Sequence, residues 1–200
     1  MKTDISKIEK LFPTVYITLI SILLGFAIED LVSQFRELDQ IDFYAILKAA
    51  AIFSGIFGAW TGLSFISMTQ ERVPKLLDCV NIFFFSLTIY ILNSTLGLEV
   101  GYFFAALSLY LVAAMIASIY NFNMLLQNLP TSYSLGFFRP EFIIVAISLV
   151  LYTFGAWLSL RGMLPLSAEI FLILYFIVAN ILWTYIFYKK WSVLIFELQR

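Results

Sequence analysis

Residues Phe12 to Val32 read FPTVYITLISILLGFAIEDLV. About 20 apolar residues at 1.5 Å each cross a hydrocarbon core roughly 30 Å thick, so this run can span a bilayer. Five further apolar runs follow. The helices read from the sequence are approximately 12–32, 44–68, 74–95, 100–122, 140–160 and 167–188. The chain is therefore expected to be all-α, a polytopic six-helix transmembrane bundle forming one domain over residues 1–200, with the lipid bilayer as its principal partner.

Composition agrees. Hydrophobic residues make up 62% and charged residues 12% of the chain, and mean hydropathy is +0.95. Soluble domains carry about 45–50% and 25%. A net charge of -1 leaves no basic face for nucleic acid, and 200 residues leave no room for a soluble catalytic domain beside six spans. Cys79 is the one cysteine, and histidine is absent, which removes the commonest general base and metal ligand. The chain has no G-x-S-x-G, no glycine-rich phosphate loop and no H-E-x-x-H. Asp78 is the one acid away from a helix end, so an intramembrane aspartyl pair is not available, and Lys48 lies too shallow for a mid-membrane Schiff base. No enzyme, cofactor or metal site is expected.

Orientation follows from the basic residues. Six spans put both termini on one side. With the termini cytoplasmic, Lys2, Lys7, Lys10, Arg72, Lys75, Arg139, Lys189, Lys190 and Arg200 lie inside; Arg36, Lys48 and Arg161 lie at the outer side. Nine against three satisfies the positive-inside rule. The outer side is acidic, with Glu29, Asp30, Glu37, Asp39, Asp42, Glu99 and Glu169. Acids and a missing small-x-small cleavage site after the first run mark it as a retained helix rather than a leader. Short loops and small size point to a multi-pass protein of a prokaryotic inner (plasma) membrane.

Local signals set expected helix ends. Residues 3–11 are amphipathic and are expected to lie in the interface before helix 1 enters. Pro74 opens helix 3, Ser167 caps helix 6, and Lys189 with Lys190 stops it. Lys48 snorkels to the outer interface, and Arg161 faces Glu169 across a short loop. Phe137 and Phe138 dip the longest connection towards the membrane.

The polar residues of helix 1 are spaced for one face. Thr14, Thr18, Ser21, Gly25 and Glu29 step by four, three, four and four. In lipid such a face is expected to turn to protein or water. Glu29 and its neighbour Asp30 read either as a solvated helix end or as a cation-concentrating mouth. Asp78 and Asn81 in helix 3 read either as a helix N-terminal acid with its neighbour or as an inner cation or proton site. Asn81, Asn93 and Asn180 are each expected to make interhelical hydrogen bonds. Helix 2 carries two ladders of small residues, Ser54–Gly58–Gly62 and Ala51–Gly55–Ala59, whose ordinary use is close helix packing. Phe57-Gly58-Ala59-Trp60 reappears as Phe154-Gly155-Ala156-Trp157, which raises an inverted repeat of three helices against three.

The leading expectation is a homo-oligomeric channel or pore for small cations, lined by helix 1. The alternatives are a small-solute or proton-coupled transporter working within one subunit or a dimer, and a non-transporting membrane scaffold or assembly partner.

Overall fold

The computed structural model describes residues 2–68, 75–126 and 139–198. These form six helices: α1 (Lys2–Arg36), α2 (Phe43–Met68), α3 (Leu76–Asn93), α4 (Val100–Leu126), α5 (Arg139–Leu160) and α6 (Leu166–Leu198). All six contain a stretch long and apolar enough to cross a membrane. The described residues contain no strand. The chain is thus an all-α, six-span integral membrane protein, and its even number of spans returns it to the side on which it began. The connections at 69–74 and 127–138, with Pro74, Phe137 and Phe138, lie outside the described residues.

Several helix ends differ from the sequence reading, for definite reasons. α1 is continuous from Lys2 through Pro13, so no separate interfacial helix precedes it. α6 runs on past Lys189 and Lys190, because lysine is a good helix former and ends the lipid span without ending the helix. The N-cap of α6 is Pro165 rather than Ser167: the Glu169 amide donates to the Pro165 carbonyl at 3.2 Å. α3 starts at Leu76, with the Lys75 amide donating to Asp78 Oδ2 at 2.7 Å. Asp42 caps α2 by accepting the Ala45 amide at 2.7 Å. Gly162 ends α5 at φ 65°, in the left-handed region. The Met163 amide reaches back to Leu158 O at 2.9 Å and the Gly162 amide to Ser159 O at 2.8 Å, the paired bonds of a Schellman turn.

The helices pack as a ring in the order α1–α2–α6–α5–α4–α3, with α2 also touching α3 and α4 across the middle. One apolar cluster draws on all six, including Ile20, Ile52, Ile89, Phe103, Tyr152 and Ile173. Glycines set the closest approaches. A Cβ on Gly55 would meet the Tyr110 ring at 3.5 Å, and one on Gly101 would lie 2.6 Å from Leu160. The ring is not two-fold related. α2 packs along α6, yet its counterpart α5 has no comparable contact with α3 among the described residues. The two Phe-Gly-Ala-Trp segments share a local plan, with each alanine buried and each tryptophan exposed, but α2 and α5 are differently partnered.

Midway through the bundle an aromatic layer crosses from α3 to α6. Phe85 meets Tyr110 at 5.1 Å between centroids, Tyr110 meets Phe176 at 6.0 Å, and Phe176 meets Tyr152 at 5.8 Å. The Tyr110 hydroxyl donates to Gly55 O at 2.8 Å, tying the layer to α2.

Candidate functional site

α1 packs through Tyr16, Ile20, Leu24, Ala27 and Leu31, all buried. The opposite face therefore looks away from the bundle. Thr14, Thr18, Ser21, Gly25 and Glu29 are all exposed. Within it, the Thr18 hydroxyl donates to Thr14 O at 2.8 Å, and Trp60 Nε1 donates to Ser21 Oγ at 3.1 Å. Gly25 has nothing within 4 Å of where a Cβ would stand, so it forms a notch in the surface. With Ser21, Phe53, Phe57 and Trp60 it lines a shallow cavity of about 230 Å³ between α1 and α2.

Asp30 does not share that exposure. It is half-buried, and Asn93 of α3 donates to its Oδ2 at 2.7 Å and to Ala27 O at 2.9 Å. One amide thus bolts the C-terminal half of α1 to the end of α3, and Glu29 has no partner among the described residues. Lys48, expected at the interface, is buried instead. Its ammonium donates to Leu98 O at 2.5 Å and Leu96 O at 3.0 Å, with Thr95 O at 3.5 Å. These carbonyls lie in the turn that follows α3, where a helix end favours a cation. Glu169 does not pair with Arg161. It accepts from Ser159 Oγ at 2.6 Å and Tyr44 Oη at 3.3 Å, while the Arg161 guanidinium lies over the Trp157 ring at 4.4 Å.

At the start of α3 Asp78 is 1% exposed, and its Oδ1 accepts the Tyr120 hydroxyl at 3.0 Å. Asn81 lies one turn on, also buried. The Ser64 hydroxyl and Asn81 Nδ2 are covered and have no partner among the described residues. Asp78 and Asn81 sit inside the chain, whereas the stripe of α1 lies on its outer surface, so the two sets of candidate residues are not brought together.

Below the aromatic layer α2, α4, α5 and α6 leave a cavity of about 90 Å³. Gly58, Gly62, Ala114 and Ala179 give it space, and Ser118, Ser148 and Asn180 are its polar walls beneath the Tyr110 ring. The glycines also receive α6: a Cβ on Gly58 would stand 3.2 Å from Asn180 Oδ1, and one on Gly62 would stand 2.9 Å from the Trp183 ring. Ser54 turns its hydroxyl back to Ala51 O at 2.7 Å. Asn180 Nδ2 finds no acceptor among the described residues, contrary to expectation.

Sequence reasoning missed Lys48 as a buried anchor, Tyr120 as the partner of Asp78, and the cavity. A lysine among Ala49, Ala50 and Ala51 is the one local sign that a backbone approaches closely there.

No family model, curated protein or solved structure matches the chain. What the fold defines is the class: an integral membrane protein of six apolar helices.

Proposed function

We propose that the chain is a subunit of a homo-oligomeric pore for small cations, with α1 of each copy on the shared axis, in a prokaryotic plasma membrane. The observation that carries this reading is the direction of the α1 stripe. Five residues chosen by spacing alone all lie on the outer surface of the bundle; Thr18 and Ser21 have partners within the chain, but hydrocarbon would offer the Glu29 carboxylate nothing. A ring of copies turns that surface to water. The Thr and Ser oxygens then stand along the path, and Glu29 stands near its outer mouth. Exposed Glu37, Asp39, Asp42 and Glu99 raise the local cation concentration on the same side. The chemistry asked of the chain is passage rather than catalysis. Asp78 and Asn81, buried within the subunit, are not needed to line this path.

Proximity of α1 between copies is directly measurable. In a Cys79→Ser background, Gly25→Cys is expected to form disulfide-linked dimers on mild oxidation in the native membrane, because the notch at Gly25 admits the side chain without strain. Cysteine at Ile147, exposed on α5, is expected to give none. Equal crosslinking at both positions, or none at Gly25, removes α1 from the axis.

A second reading is favoured by a separate observation. The cavity under the aromatic layer is where a carrier working within one subunit or a dimer would hold a small solute. A scaffold, the third alternative, would be favoured by a solidly packed bundle, and the cavity under the aromatic layer is not that.

A further inference from the structure

The loosest seam around the cavity is the one between α5 and α6. α2 packs along α6, α4 packs along α5, and α2 touches α4 across the middle. α5 and α6 meet mainly towards the turn that joins them. There Ser159 Oγ donates to Glu169 Oε1 at 2.6 Å and Tyr152 Oη to Leu172 O at 3.0 Å. Farther along, Ser148 Oγ stands 3.4 Å from Tyr175 Oη. Past that contact, Ile144 and Val145 of α5 and Ala179, Trp183 and Phe187 of α6 line the cavity instead. Its floor is Gly58 and Gly62 of α2 with Ala114 and Ala117 of α4. The cavity is therefore a cleft whose open side is the α5–α6 seam. Ile147 and Leu182, each next to a lining residue, are exposed, so this seam lies on the perimeter of a bundle that spans a bilayer.

The walls select what fills the cleft. They are apolar apart from Ser118, Ser148 and Asn180, and no charged residue lines them among the described residues. An ion would be stripped of water there with no counter-charge. Water itself needs about two to four polar partners, and the Asn180 amide nitrogen is covered by protein rather than offered to the cleft. Hydrocarbon asks for no polar partner, and it restores the dispersion contacts that an empty apolar wall forfeits. Length agrees. From Phe176 to Phe187 the lining of α6 runs eleven residues, about 16 Å. Half of a hydrocarbon core roughly 30 Å thick is one leaflet. Lys189 and Lys190 follow within a turn of Phe187, at the level where a phospholipid seated in the cleft would carry its phosphate. We propose that the cleft is a binding site for one acyl chain of a bilayer phospholipid, which enters sideways between α5 and α6 and ends beneath the Tyr110 ring. α1 lines no part of this site, so it stands or falls independently of the pore. A lipid tail seated here occupies the space that the carrier reading gives to a solute.

The test reads magnetisation transfer from lipid to protein methyl groups. The full chain, deuterated except at its alanine methyls, is placed in nanodiscs of protonated phosphatidylcholine and phosphatidylglycerol. Ala59 and Ala117 line the cleft yet are only 7% and 4% exposed, so bulk lipid at the perimeter does not reach them. Ala51 and Ala113 lie on the same two helices, are equally buried and line no part of the cleft. Cross-peaks from the acyl methylene protons are expected at the Ala59 and Ala117 methyls and absent at those of Ala51 and Ala113. Ala114→Leu, which narrows the cleft from its floor, is expected to remove the Ala117 cross-peak. Silence at Ala59 and Ala117 would overturn the proposal, and so would cross-peaks there from water in place of acyl protons. Cross-peaks of equal strength at all four methyls would overturn it too, since they would mark diffuse transfer rather than a seated chain. If Ala114→Leu fails to fold, the four methyls of the unsubstituted protein decide the matter without it.

Discussion

Lys48→Met is expected to destabilise the bundle by about 3 kcal/mol, through the lost charge-assisted hydrogen bonds and the carbonyls they leave unmet. Methionine keeps the length and apolar stem of the side chain, so packing changes little. What disappears is the ammonium that gathers Leu96 O, Leu98 O and Thr95 O. Leu96 and Thr95 are buried, at 1% and 6% exposure, so water does not replace the donor at these two carbonyls, whereas Leu98 is half-exposed. The lysine also reaches from α2 to the α3–α4 turn, and this bond holds the start of α4 in place. Thermal unfolding in nanodiscs measures the effect. Lys48→Arg, which keeps the charge in a bulkier head, is expected to lose less than Lys48→Met. A methionine variant as stable as the parent would show that the carbonyls find other donors.

Gly101→Ala is expected to cost about 1–3 kcal/mol by overpacking, and Gly101→Val more. A Cβ at Gly101 would lie 2.6 Å from Leu160 Cγ and 3.0 Å from the Leu160 backbone nitrogen. The side chain of Leu160 could turn aside; its backbone could not, so α4 and α5 must separate where the start of α4 meets the end of α5. Gly25→Ala is the matched control. Both glycines are helical, but Gly25 meets nothing within 4 Å, so alanine there is expected to be neutral or to gain up to about 1 kcal/mol of helix propensity. The same unfolding measurement on both variants separates packing from propensity. A loss at Gly25 equal to that at Gly101 would contradict this assignment.

The six spans were legible because bilayer thickness demands long apolar runs, and nothing in tertiary packing can disguise a run of that length. The grouping of Thr14, Thr18, Ser21, Gly25 and Glu29 on one face was equally legible, since helical periodicity fixes it. Its direction was not. Spacing says which residues look the same way, and only the fit of Tyr16, Ile20, Leu24 and Ala27 into α2 and α3 decides that the other face looks out. Lys48 was misread for a related reason. A lysine near a helix start can reach the interface, but here a turn four dozen residues later brings its carbonyls within reach first. The ladders Ser54–Gly58–Gly62 and Ala51–Gly55–Ala59 announced a close neighbour, but not that Tyr110, Asn180 and Trp183 would be what their glycines receive. Arg161 and Glu169 were paired by proximity in the chain. The guanidinium instead had an indole one helical turn back, and the carboxylate had two hydroxyls.

The central claim is that cations pass along the outward face of α1. Cation flux through the purified protein in liposomes tests it most directly, comparing the parent with Glu29→Gln under an imposed potassium gradient. Removing a charge at a pore mouth lowers the local cation concentration, so flux is expected to fall several-fold at low salt and to recover as salt screens the mouth. Absence of flux under any voltage, pH or ion gradient would contradict the account, and the polar face of α1 would then be a surface for another protein's helix.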